Sequence, residues 1–184
     1  DNQAPIIDNP VEVVVNEDAG LVALGLTQPE DPEGTEVTVE ITEIPVFGAI
    51  IDKSGNAVSV GAIMTADEFT ELHYQTSLDQ YGDAGYLRFK ATDEDAVSSQ
   101  SSVHLFVDPV NDAPRFATES NVLVIQYPDQ ATVALDMLQP MDPESQLTSV
   151  RVSELPQLGV VTLDNQPLSL DQVLTFDQLE RLQF

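Results

Sequence analysis

The chain repeats itself at long range. Asn2-Gln3-Ala4-Pro5 recurs as Asn111-Asp112-Ala113-Pro114, displaced by 109 residues. Asp31-Pro32-Glu33-Gly34 recurs as Asp142-Pro143-Glu144-Ser145, and Pro45-Val46-Phe47-Gly48 as Pro156-Gln157-Leu158-Gly159, both displaced by 111. Thr65 with Glu68 returns as Thr175 with Gln178, displaced by 110. Four landmarks holding one period exclude a solenoid, whose units run about 20 to 50 residues, and predict a tandem array of domains. Residues 1–110 make one complete copy and 111–184 a second. Counterparts of 79–107 are absent from the second copy, which predicts a truncated domain lacking about its last two strands. An incomplete sheet would expose backbone donors and apolar residues such as Leu179 and Leu182, favouring dimerisation or a borrowed strand.

The seam between the copies is Asp108-Pro109-Val110-Asn111-Asp112-Ala113-Pro114. It ends one alternating apolar run, Val103, Leu105 and Val107, and precedes another at 122–125. Its two prolines fix φ and resist helix, so the segment is expected to run extended. A floppy linker would be rich in Gly and Ser. This one is stiff and carries the side-chain oxygens of Asp108, Asn111 and Asp112, the hard ligands that calcium selects.

Within the first copy, short runs rich in β-branched and aromatic residues fall at 11–15, 21–26, 36–44, 49–51, 72–74, 86–92 and 101–110. Clusters of Gly, Pro, Asn and Asp separate them, the pattern of strands joined by turns. Such density of short strands predicts an all-β chain: tandem antiparallel, Greek-key, seven-strand β-sandwiches of the immunoglobulin-like kind. The one helical signal is Thr65 to Leu72, where Thr65 and Glu68 have the spacing of a capping box.

Composition narrows the function. Thirty-two Asp and Glu face six Lys and Arg, a formal charge of −26. A phosphate-backbone binder needs a basic surface, so nucleic acid is excluded as a partner. There is no Cys, hence neither disulfides nor thiolate metal sites. No apolar run approaches the roughly 18 residues that cross a bilayer, so membrane insertion of this segment is not expected. No leader is visible at Asp1, which reads as a cut inside a longer protein. So much uncompensated charge repels itself in a compact fold, and bound divalent cations would relieve it.

If the strands alternate in direction, successive turns sort to two poles. Glu17, Asp79, Asp83 and Asp108 to Asp112 fall at the pole from which the chain leaves the first copy. Asn2 (the counterpart of Asn111), Asp31, Glu33 and Asp93 fall at the N-terminal pole. Across the seam, Asp142 and Glu144 repeat the turn of Asp31 and Glu33 in the second copy.

At these residues the chain resembles the cadherin superfamily, in particular the cadherin-like tandem repeats of large bacterial surface adhesins, including those of the RTX type. Glu17 matches the calcium-binding acidic residue after the family's first strand. Asp31-Pro32-Glu33 matches its D-x-D turn, with Glu replacing the second Asp. Leu78-Asp79-Gln80-Tyr81 keeps the Asp of the L-D-x-E stretch but lacks the Glu, for which Asp83 is the substitute. Ala91-Thr92-Asp93 matches the A-x-D turn, and Asp108-Pro109-Val110-Asn111-Asp112 resembles the D-x-N-D-N linker in a shifted register. The resemblance implies Ca²⁺ held at the interdomain junction by Glu17, Asp79, Asp83, Asp108, Asn111, Asp112, Asp142 and Glu144. It implies a second group, Asn2, Asp31, Glu33 and Asp93, at the N-terminal pole. It further implies an extracellular or cell-surface location, with neighbouring repeats as partners and a like copy, a surface glycan or a surface protein as adhesive target.

Catalysis has little to work with. His73 and His104 each sit between apolar residues of a strand, pointing outward as structural residues. The serines at 98, 99, 101 and 102 lack a nucleophile elbow. The acidic pairs lie in turns with no Trp nearby to make a sugar platform for glycoside hydrolysis. An enzyme is not expected. The alternative to a calcium-rigidified module is a carbohydrate-binding β-sandwich, which would show clustered exposed aromatics.

Overall fold

The computed structural model describes residues 2–95, 97–116 and 132–184; the alternating run at 122–125 lies outside them. The chain forms two compact units, Asp1–Val110 and Asn111–Phe184.

The first unit contains β1 (Glu12–Asn16), β2 (Leu21–Ala23), β3 (Thr38–Glu43), β4 (Ala49–Ile51), β5 (Ile63–Thr65), α1 (Ala66–Thr70), β6 (His73–Gln75), β7 (Gly82–Thr92) and β8 (Ser98–Asp108). They make a five-stranded sheet, ordered β1-β8-β7-β3-β5, and a three-stranded sheet, ordered β2-β6-β4. The fold is all-β, and the two sheets share one core.

Three features depart from the sequence reading. The strands number eight rather than seven, because β5 pairs along β3 with Val39 opposite Met64. The sheets are not wholly antiparallel, since β1 runs parallel to β8. These two strands are far apart in sequence, so no hairpin dictates their direction, and the parallel ladder carries Asn16 and Asp108 to the same end. Finally, β7 begins at Gly82 rather than at 86. Its first residues pair through a bulge, with Asp83 opposite Phe106 and Gly85 opposite Leu105.

Alternation decides which side chains face inward. On β7 and β8, Leu87, Phe89, Ala91, Val103, Leu105 and Val107 are fully buried, while Tyr86, Arg88, Ser102 and His104 point the other way. Phe69 of α1 meets Phe89 at 4.5 Å between ring centroids. The capping box is formed: Thr65 Oγ1 accepts from the Glu68 N–H at 3.2 Å, and Glu68 Oε2 accepts from the Thr65 N–H at 3.0 Å. That second bond, with a further one from the Thr65 hydroxyl, holds the Glu68 carboxyl below its ordinary range. Tyr74 is wholly buried. Its hydroxyl donates to Phe47 O at 2.9 Å, and burial pushes its pKa up to about 12.

The second unit contains β9 (Arg115–Phe116), β10 (Pro140–Met141), β11 (Ser149–Arg151), β12 (Thr162–Leu163), β13 (Gln166–Pro167), β14 (Val173–Thr175), α2 (Phe176–Leu179) and β15 (Leu182–Gln183). Its small core is Leu163, Leu174, Leu179 and Leu182. The expectation that Leu179 and Leu182 lie exposed is therefore corrected: they are 3% and 4% exposed, because α2 and β15 fold them onto Leu163 and Leu174. The exposed apolar residues of this unit are others, among them Leu158, Val160, Leu170 and Val173.

One device recurs in both units. Gly48 has φ +71°, and a Cβ built there would lie 2.3 Å from the Tyr74 hydroxyl oxygen. Gly159 has φ +77°, and its Cβ would lie 2.1 Å from the Phe184 ring. The glycine thus supplies both the left-handed turn and the space for the aromatic ring that follows it in the fold. Gly48→Ala is expected to cost about 3 kcal/mol, strain and overpacking acting together. Gly20→Ala, with φ +74° but nothing within 4 Å of the new methyl, should cost only about 1 kcal/mol. Urea unfolding of the two variants measures the difference; equal losses would show that ring contact is irrelevant.

Candidate metal centre

Where β1 ends, the chain turns at Glu17. The parallel ladder sets this residue beside the end of β8, and its N–H donates to Asp108 O at 2.8 Å. The side chain is folded inward until the residue is 1% exposed, the most buried carboxylate described in the chain. Its Oε1 accepts from the Val110 N–H at 2.7 Å. Its Oε2 is buried with no hydrogen-bond partner. A buried carboxylate oxygen left without a donor is costly, and a bound cation is one way of compensating it.

Asp18 follows with φ 58°, and Asp79 has φ 53°. Both are left-handed positions, which Asp tolerates in turns better than most residues. The two carboxylates bring oxygens within 4.8 Å of each other. Two oxygens bound to one calcium at about 2.4 Å stand at most about 4.8 Å apart, so the pair has the right span for a shared ion. The turn is tied down by the Gly20 N–H, which donates to Thr76 Oγ1 at 3.1 Å. Asp18, Gly20, Gln75, Thr76 and Leu78 line a shallow cavity of about 400 Å³ there. Asp18 was not singled out from the sequence; its place directly after Glu17 in an acidic turn was the signal.

Asp108 closes β8 opposite Asn16 and belongs to the same pole. Asp83 does not turn toward it. Its Oδ1 accepts from the Gly85 N–H at 2.8 Å and lies 2.8 Å from His104 Nε2, on the outer face of the five-stranded sheet.

At the N-terminal pole, Asn2 Nδ2 donates to Asp93 Oδ2 at 2.8 Å, and Asp93 Oδ1 accepts from the Val97 N–H at 2.9 Å. Asp93 is 5% exposed but satisfied. Gln3 donates to Glu33 from its backbone at 3.1 Å and from its side chain at 3.3 Å. Asp31 Oδ2 accepts from the Thr35 N–H and hydroxyl at 2.7 and 2.9 Å, while its Oδ1 is buried without a hydrogen bond. Among the described residues, no three acidic side chains at this pole converge within 4.8 Å.

In the second unit, Asp142 Oδ1 accepts from the N–H groups of Glu144 and Ser145 at 3.1 and 2.7 Å. Glu144 Oε2 accepts from the Asp112 N–H at 2.9 Å, and its Oε1 is buried without a hydrogen bond. Asn111 Nδ2 donates to Asp112 O at 3.1 Å.

No family model matches the chain, and no curated protein matches it significantly. Among the described residues, no helix is long and apolar enough to cross a membrane.

His104 stands between two carboxylates: Nε2 faces Asp83, and Nδ1 lies 3.0 Å from Glu12 Oε1. Both nitrogens can donate only in the imidazolium form. The Asp83 bond first, and the Glu12 bond second, raise the His104 pKa above 6.5. The Gly85 N–H first, and His104 second, lower the Asp83 pKa below 3.8. The histidine's contribution to stability is complete below pH 6.5 and lost as pH rises through its raised pKa; the aspartate's is complete above pH 3.8 and lost as pH falls through its lowered one. Both act together between those values. NMR titration should put the His104 midpoint above 6.5 in the wild type and lower than that of the wild type in Asp83→Asn, where the Glu12 bond remains. A wild-type midpoint at or below 6.5 would contradict the bridge.

Proposed function

We propose that this chain is part of a calcium-binding, calcium-rigidified extracellular adhesion or extender array, built from tandem Greek-key β-sandwich repeats of the cadherin-like kind. The observation that carries the reading is Glu17: buried at 1% exposure, bonded through one carboxylate oxygen and unpaired through the other. The acidic side chains of the same pole, Glu17, Asp18, Asp79 and Asp108, would fit the ion. They are carboxylates, and hard oxygen ligands with flexible geometry suit Ca²⁺ rather than a metal that prefers nitrogen or sulfur.

In this reading Glu17, Asp18, Asp79 and Asp108 would hold calcium at the exit pole, each through side-chain oxygen. Only Pro109, Val110 and Asn111 separate Asp108 from Asp112, so the proposal extends the ion cluster to Asp112, Asp142 and Glu144 of the following repeat. The ion would supply positive charge that turns mutual repulsion of carboxylates into attraction toward a common centre. That gain exists only in the folded geometry, and it stiffens the linker against bending under load. The array's neighbouring repeats are then its first partners, with a surface ligand as the adhesive target.

The carbohydrate-binding alternative is less well supported. Tyr86 is 38% exposed, yet Arg88 lies over its ring at 4.6 Å and the His104 ring stands 4.9 Å away, filling the space a sugar would use.

Calcium at about 100 times Kd, where Kd is roughly 10⁻⁴ M, should stabilise the fold by about 2.7 kcal/mol. The melting temperature should rise by about 10 °C, more than with magnesium, whose octahedral demand these turns meet poorly. Glu17→Gln keeps an oxygen for the Val110 N–H but removes the charge, and should abolish most of the gain. Calorimetric melting in chelator, calcium and magnesium decides the matter. Equal temperatures in chelator and calcium would defeat the proposal.

A further inference from the structure

Among the described residues, three are polar and buried: Glu17, Asp93 and Thr76. Thr76 follows β6 directly and is 8% exposed. The ladder between β2 and β6 ends with Leu21 opposite Gln75. One step beyond it, the Thr76 N–H donates to Gly20 O at 3.0 Å. The Gly20 N–H donates in turn to Thr76 Oγ1 at 3.1 Å, and the Thr76 hydroxyl donates to Gly20 O at 3.4 Å. The side chain thus takes up the backbone donor at the end of the ladder and clamps the two segments together.

Those segments are the two arms of the acidic pole. Asp18 stands two residues before Gly20, and Asp79 three residues after Thr76. Asp18 lies in a turn closed by the Ala19 N–H, which donates to Asn16 O at 3.4 Å, and the same turn contains Glu17. Both aspartates have positive φ, a conformation that persists in a residue with a side chain only where its surroundings hold it. Their oxygens come within 4.8 Å of each other although the arms are distant in the chain.

We propose that Thr76 is a positioning residue of the calcium site, its hydroxyl fixing the separation of the Asp18 and Asp79 carboxylates and, through it, the preference for calcium over magnesium. The inference rests on the calcium reading above. Calcium keeps its oxygens at about 2.4 Å and accepts irregular geometry, so it can bind between arms whose spacing the protein sets. Magnesium demands an octahedron at about 2.1 Å, so the arms must move to it. The clamp resists that movement. Without the hydroxyl the arms are free to drift, calcium loses a prepared site, and the penalty against magnesium shrinks.

The test is calorimetric titration of the 184-residue chain with calcium, with magnesium affinity taken from competition, at a temperature where circular dichroism shows each variant folded. Thr76→Val removes the hydroxyl at nearly constant volume and should weaken calcium binding about tenfold or more, with a smaller loss for magnesium. Thr76→Ser keeps the oxygen and should restore both affinity and selectivity. If Thr76→Val does not fold, the wild type decides: calcium should slow exchange of the Gly20 amide on the order of tenfold, and unchanged exchange would overturn the proposal. Wild-type calcium affinity in Thr76→Val, or an equal loss for both ions, would overturn the role of Thr76 and leave the calcium reading standing. Absence of calcium binding by the wild type would defeat both.

Discussion

The ladder between β7 and β8 is the interaction on which the first unit depends. Two strands of eleven residues each pair from Gly82 and Val107 at one end to Thr92 and Ser98 at the other. Every other strand of the large sheet hangs from this pair, β3 and then β5 from β7, and β1 from β8. The strands are joined by a short turn, so the hairpin forms with little loss of chain entropy, whereas the parallel seating of β1 must wait until β8 exists. The inward faces of β7 and β8 then supply the wall against which Ile50, Phe69 and Tyr74 pack.

Against that apolar interior the acidic residues divide by environment rather than by type. Most lie in solvent, where water and salt screen them and their mutual repulsion is modest. Two are buried. Asp93 has a donor on each oxygen, so its burial is compensated and it serves the turn that holds Asn2 and Val97. Glu17 has a donor on one oxygen alone. The same functional group is therefore fully satisfied at Asp93 and half-satisfied at Glu17. The difference lies in the number of donors within reach, not in charge density.

Much of the local architecture is legible from residues close in sequence. Thr65 and Glu68 announce a helix start because three positions is the spacing at which side chain and backbone can exchange hydrogen bonds. Gly48 and Gly159, matched by the repeat, both adopt positive φ beside an aromatic ring. β4 falls at Ala49–Ile51, where the alternation places it. β5 is not legible, since Ile63, Met64 and Thr65 are too few for a period of two and run directly into the helix cap. The first residues of β7 are hidden by Gly82 and Gly85, which look like loop and instead form a bulge.

The sequence by itself determined what depends on neighbouring residues: the two-fold repeat, the all-β class, the turns, the helix cap and the acidic character of each end. Covalent geometry and a period of two act over a few residues, so they leave their mark in the order of the chain. Which carboxylate would be buried was decided only by tertiary structure. Glu12 and Glu17 flank the same run of valines, yet the side chain of Glu12 is 52% exposed and Glu17 is 1% exposed. The parallel pairing of β1 with β8 brings the Val110 N–H, 93 residues distant in the chain, onto Glu17 Oε1. Desolvation depends on what folds over a group, and nothing within a few residues of Glu17 records it.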